Sequence, residues 1–69
     1  MRKKKMKQAL AIMKAKIPDL KVGIATTKKG MIKELWEVVD FINSDDLYRY
    51  QFEYPKKVKK VLKAVGAFD

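Results

Sequence analysis

Lysine side chains carry most of the chemistry in this sequence, and their spacing places them on the faces of helices. Residues 56–63 hold five lysines opposite an apolar stripe, and residues 3–14 hold a second lysine row. An ammonium group is a compact point charge that suits phosphates better than base edges. We therefore expect binding to the backbone of a nucleic acid, DNA or RNA, with little sequence preference. The predicted contact residues are Lys3, Lys4, Lys5, Lys7, Lys14, Lys28, Lys29, Lys56, Lys57, Lys59, Lys60 and Lys63.

Lys28 and Lys29 differ from the other lysines because they follow two threonines at the start of a predicted helix. The free N–H groups and the positive dipole end of such a helix favour an anion. The spacing is not that of a P-loop, because the lysines here precede Gly30 instead of following a glycine. Two interpretations stay open: a phosphate contact, or a cap at Thr26 or Thr27 followed by solvated lysines.

The acidic residues offer little that a catalyst needs. Asp45 and Asp46 follow the end of a predicted helix, where Asp is common in turns, and only together with Glu53 do they suggest a Mg²⁺ site. The sequence has no cysteine and no histidine, which excludes zinc sites of the usual ligands, thiol nucleophiles and imidazole bases. We expect a non-enzymatic protein without catalytic residues, metal or cofactor.

The net charge of +9 arises from 17 lysines and arginines against 8 acidic residues in a chain of 69. Basic residues are concentrated in 1–33 and 56–69, whereas acidic residues are concentrated in 34–55. This segregation predicts a positive surface and a separate face that is neutral or negative. A chain of this length makes one domain, so we expect a single small basic domain over 1–69, with 1–5 as a candidate flexible basic arm.

Three segments have the apolar spacing of amphipathic helices. The first runs from residue 2 to about 17 and ends at Pro18, which disfavours helical geometry before it. The second runs from about 28 to 43, and its second apolar row, which includes Trp36, makes it the expected central helix. The third follows Pro55 and ends near Gly66.

Two further segments alternate in the manner of strands. Residues 20–26 are the first, and residues 47–54 are the second, with four aromatic side chains on one face. A domain this small needs those rings in its core more than as a base-stacking platform. The order α-β-α-β-α predicts an α+β fold, with three helices packed on a two-stranded sheet. Such a sheet is weak alone, so its completion in a homodimer stays open, as does parallel or antiparallel pairing.

Residues 23–36 resemble part of a known class of DNA-binding module. The segment has a Gly-apolar pair at Gly23 and Ile24, a small polar loop, basic residues and an amphipathic helix. It is similar to the latter half of helix-extended-loop-helix modules of the SAP and LEM kind, and that resemblance implies DNA binding. Pro18 and the strand predicted for 20–26 depart from those modules, so we assign the chain to no family.

Composition also bears on location and on a second class of partner. The lack of cysteine is consistent with a reducing compartment, and the apolar stretch after the basic start is too short for an export signal, so we expect a cytoplasmic protein with no membrane span. The alternative function is a small phage- or plasmid-type inhibitor or accessory factor that docks on an acidic surface of a larger complex. Its small size and acidic middle segment are the features that suggest it.

Overall fold

The computed structural model of the protein describes residues 2–67. Two thirds of these residues are helical, and none of them lies in a strand. The elements are α1 (Lys3–Lys16), α2 (Lys28–Ser44), α3 (Asp46–Arg49) and α4 (Lys56–Ala64). The three predicted helices are confirmed as α1, α2 and α4, while the predicted α+β class is wrong because the described chain forms no sheet.

Local signals in the sequence account for the helix ends. α1 ends at Lys16, just before Ile17 and Pro18. At the start of α2 the Thr27 hydroxyl accepts a hydrogen bond from the Gly30 N–H at 3.1 Å, which satisfies one of the free donors of the first turn. α4 follows Pro55, and the chain then turns at Gly66, whose φ of 77° is a left-handed conformation that glycine adopts without strain. The arm suggested for residues 1–5 is helical from Lys3 onward.

The core forms where α1 packs on both α2 and α4, and α3 packs on α2. The second apolar row of α2 is less buried than expected, because Ile32 and Val39 are half-buried and Trp36 is 44% exposed. No helix within residues 2–67 is long and apolar enough to span a bilayer. The buried apolar residues are Met6, Ala9, Leu10, Met13, Ile17, Leu20, Val22, Met31, Leu35, Val38, Ile42, Val58, Val61 and Leu62.

The segment between α1 and α2 is an irregular extended connection, not the predicted strand. Leu20 and Val22 are buried, as an alternating pattern requires, but the alternation stops at Gly23, where φ is 88°, and Ile24 is 79% exposed. The N–H groups of Ile24 and Ala25 donate to the Glu34 Oε2 at 3.2 and 3.3 Å, so a side chain replaces the partner strand. The described chain therefore has the order helix, extended segment, helix across α1 and α2.

The second predicted strand, residues 47–54, is replaced by α3 and a turn. The Asp45 Oδ1 accepts a hydrogen bond from the Leu47 N–H at 2.9 Å, which begins the helix. The Phe52 N–H then donates to the Tyr48 carbonyl at 2.9 Å, so these backbone groups are paired locally. Tyr50 is 78% exposed instead of lying on a common buried face. Without either strand, residues 2–67 form no two-stranded sheet that a second subunit would complete.

Three of the four aromatic residues of 47–54 form a chain of ring contacts that begins on α2. Tyr48 lies 5.8 Å from Phe41 and 6.4 Å from Phe52, and Phe52 lies 5.2 Å from Tyr54, all between ring centroids. Tilted and edge-to-face pairs at these distances are favourable arrangements for aromatic rings. The rings therefore fasten α3 and the segment before α4 to α2.

Burial of Tyr54 predicts a loss of stability in alkali. Desolvation raises the pKa of Tyr54 above its usual value of 10.0. Below that value both the folded and the unfolded chain keep the proton, so Tyr54 does not lower the free energy of unfolding. As the pH rises through it, the unfolded chain releases the proton first and the free energy of unfolding falls.

Between about pH 9 and pH 11, urea unfolding should show a steeper loss of the free energy of unfolding for the wild type than for Tyr54→Phe. Tyr50→Phe, at an exposed ring, is the control and should keep the wild-type slope; equal slopes for wild type and Tyr54→Phe would contradict the prediction.

Candidate nucleic-acid interface

A groove between α1 and α4 brings together lysines that the sequence places in two separate rows. It has a volume of about 440 Å³ and is lined by Lys5 and Gln8 from α1 and by Lys57, Lys60 and Val61 from α4. All five residues belong to the first two turns of their helices, so the N-terminal ends of α1 and α4 lie side by side. The groove therefore brings together three lysine side chains from the N-terminal parts of two helices.

Residue spacing explains why these particular side chains meet. Lys5 and Gln8 are three residues apart on α1, as are Lys57 and Lys60 on α4, so each pair shares one flank of its helix. The apolar side of α4 is buried in the core, and Val61 is one of its buried residues. Packing of that side places the flank that carries Lys57 and Lys60 next to α1.

The other predicted lysines of α1 lie outside this groove. Lys3, Lys7 and Lys14 are spaced by four and seven residues, which places them on a different flank, and Lys4 is exposed on the outer side. The Lys14 Nζ donates to the Pro18 carbonyl at 2.7 Å and also to the Leu20 carbonyl. The ammonium group of Lys14 thus ties the end of α1 to the segment that follows.

The remaining lysines of α4 form a second row on its outward side. Lys56, Lys59 and Lys63 are exposed, and their spacing of three and four residues keeps them on one face, opposite the apolar stripe. This outer row and the groove are adjacent on the same helix. A polyanion seated in the groove would therefore meet further positive charge along α4.

The start of α2 is less suited to an anion than its sequence suggests. Lys28 and Lys29 are exposed there, outside the groove, but the adjacent loop already holds a carboxylate. Glu34 is only 8% exposed, and its Oε2 accepts the two N–H groups of Ile24 and Ala25. Its Oε1 is buried without a hydrogen-bond partner among the described residues. The Glu34 side chain thus already occupies the N–H groups of this loop, so the ammonium groups of the two lysines are what remains to attract a phosphate.

Among residues 2–67, most acidic side chains lie on α2 and α3 or at the turn between them. Glu37 and Asp40 project from α2 and Asp46 from α3, and α3 packs on α2, whereas the groove belongs to α1 and α4. A smaller depression of about 270 Å³ beside α2 has two carboxylates, Asp19 and Glu37, against one lysine, Lys21. The charge segregation is thus clear on one side only: α1 and α4 carry no acidic residue, whereas the acidic residues of α2 and α3 are mixed with Lys28, Lys29, Lys33 and Arg49.

No three acidic side chains within residues 2–67 converge in a way that would hold a metal ion. The trio of Asp45, Asp46 and Glu53 is therefore not assembled. Asp45 instead caps α3, and Asp46 lies 4.0 Å from Arg49 in an exposed ion pair. Such a pair contributes little to stability, so both aspartates act locally in the turn.

The predicted contact residues include neither Gln8, which lines the groove, nor Glu34, which lies on α2 and accepts hydrogen bonds from the preceding loop. Gln8 lies on the polar face of α1 three residues after Lys5, a spacing that signals a shared flank. Glu34 falls three residues after Met31 and four before Val38, within the buried row of α2, so its position indicated a buried carboxylate.

Comparisons with known proteins find no match for this chain among family models, curated proteins or solved structures. The function is therefore inferred from the geometry and charge of the molecule itself.

Proposed function

We propose that this protein is a small, non-enzymatic nucleic-acid-binding protein that contacts the phosphate backbone through the lysine-rich faces of α1 and α4, with low sequence specificity. The observation that supports this most strongly is the groove in which Lys5 meets Lys57 and Lys60. Three ammonium groups brought together from two helices form a local positive charge that a phosphate group would balance.

The electrostatics of the groove favour an anion. Neither α1 nor α4 has an acidic residue in its first turn, and none of the five lining residues is acidic. Acidic side chains normally stabilise the first turn of a helix, and lysines there are unfavourable. Three like charges in one groove repel one another, and phosphate groups would relieve that repulsion. A regularly charged polymer supplies several such groups at once.

The residue types argue for backbone contact without base recognition. Arginine is the usual reader of guanine edges, and the sequence has only two arginines, Arg2 and Arg49. Arg49 lies over the Tyr50 ring, with 5.0 Å from its guanidinium carbon to the ring centroid, and is close to Asp46. α1 and α4 carry no acidic residue, whereas α2 and α3 mix acidic and basic residues, so binding should be strongest on the α1–α4 side.

A salt titration tests this proposal. Fluorescence anisotropy with labelled duplex and single-stranded oligonucleotides of random sequence should give a dissociation constant tighter than about 100 µM at low salt. Because at least three lysines release counterions, log K should fall with log salt with a slope of about −2 to −3. A slope near zero, or no binding to either probe at low salt, would refute the proposal.

A second candidate function, the protein-binding inhibitor or accessory factor, is favoured by a different observation. Leu47 and Tyr50 are both largely exposed on one side of α3, and exposed apolar and aromatic side chains are common at protein interfaces. Affinity capture from a lysate treated with nuclease separates the two candidates. A protein partner that survives nuclease and is lost in the Leu47→Ser, Tyr50→Ser variant would favour the second, and loss of all partners after nuclease would remove it.

A further inference from the structure

We propose that the α1–α4 groove accepts an unpaired strand, so that the protein prefers single-stranded nucleic acid to duplex. This inference rests on the proposed function and names the ligand class of the same groove. It is carried by the size of the groove and by the side chains that line it.

The thickness of a duplex excludes it from the interior of the groove. The major and minor grooves of B-DNA are about 8.5 and 7.5 Å deep, so a duplex is at least about 16 Å thick. The protein extends only 16 Å along its shortest principal axis, so a groove between two of its helices cannot enclose a duplex, which would contact only the rims. The volume of about 440 Å³ falls in the range of about 300–1,000 Å³ in which proteins bind small organic molecules. One unpaired nucleotide is a ligand of that size.

The lining has what an unpaired nucleotide needs. The methylene stems of Lys5, Lys57 and Lys60 provide apolar surface for a base or sugar above the buried Val61, while the ammonium groups hold phosphates at the rim. Gln8 is the one uncharged polar side chain among the lining residues, and its amide both donates and accepts hydrogen bonds. In a duplex the base edges are already paired and stacked, so neither the apolar surface nor the amide would be used.

The test compares probes of equal length and variants of equal charge. The probes are labelled oligothymidylate and oligouridylate of about 20 nucleotides and a duplex of the same length, measured by anisotropy at low salt. The variants are Gln8→Glu, which places a carboxylate among the three lysines, and Gln51→Glu, which makes the same change at an exposed glutamine outside the groove. Circular dichroism checks that both variants keep the helical fold.

We expect the wild type to bind the single strands about tenfold or more tightly than the duplex, and Gln8→Glu to lose about tenfold in single-strand affinity. Gln51→Glu should behave like the wild type. Equal or tighter binding of the duplex would overturn the inference and leave the proposed function intact, as would equal effects of the two variants. Displacement of the oligonucleotide by an equal concentration of polyglutamate of the same length would also overturn it. Absence of binding to every probe would instead refute the proposed function.

Discussion

Leu62→Ala is expected to lower the free energy of unfolding by about 2–5 kcal/mol, because it removes a fully buried side chain from the α4 side of the core. A domain of this size has a total stability of about 3–10 kcal/mol, so the loss is comparable with the whole. α4 packs mainly on α1, and no other side chain in the described chain takes the place of Leu62 in that contact. Urea unfolding followed by circular dichroism measures the change.

Leu47→Ala is the matched control for this variant. Leu47 is 74% exposed on α3, so the same substitution should change the free energy of unfolding by no more than about 0.5 kcal/mol. Because the groove exists only when α4 is docked, Leu62→Ala should also weaken nucleic-acid binding although every lysine is retained. A Leu62→Ala protein as stable as Leu47→Ala would show that α4 is not packed as described.

Neutralising Lys5, Lys57 and Lys60 together is expected to remove most of the binding to nucleic acid. At 50 mM salt each phosphate contact is worth roughly a factor of eight through counterion release, so the triple Lys→Gln variant should lose about 100-fold or more in affinity. The slope of log K against log salt should fall by about 2 for a single strand. Anisotropy titrations at several salt concentrations measure both quantities.

The control for the triple variant removes three other exposed lysines, Lys16, Lys21 and Lys33. Both variants lower the net charge by the same amount, but the control leaves the groove unchanged. We expect the control to retain affinity within a factor of a few. If the two variants lose equal affinity, total charge governs binding and the groove has no special role.

The helices were predictable because each has both an apolar period and an end signal in its own sequence. Thr27, Pro55 and Gly66 mark ends that depend only on local geometry. The two predicted strands were wrong, because alternation over a few residues does not show which group pairs with the backbone N–H and C=O groups. At residues 20–26 that partner is the Glu34 carboxylate, and at residues 47–54 the Asp45 cap favours a helical turn. Tyr48 and Phe52, four residues apart, satisfy a helical spacing as well as an alternating one.

The sequence predicted that lysines would form the candidate site, but it did not predict which lysines lie together. Lysine rows on two amphipathic helices follow from spacing, yet which lysines meet depends on how α4 packs against α1. That packing selects Lys5, Lys57 and Lys60, adds Gln8, and leaves Lys14 bound to carbonyl groups. Which helices pack together when they are far apart in the chain is decided by the tertiary structure, and no local sequence pattern predicts it.

The groove forms only in the folded protein, because α1 and α4 are far apart along the chain. All of α2 and α3 lie between the two helices, so the three lysines become neighbours only after that intervening chain has closed into its native loop. An unfolded chain carries the same lysines without the same concentration of charge. A bound polyanion would then stabilise the folded state by mass action, and the melting temperature would rise with ligand concentration. Cleavage of the chain between α3 and α4 would separate Lys5 from Lys57 and Lys60 even if every residue were still present.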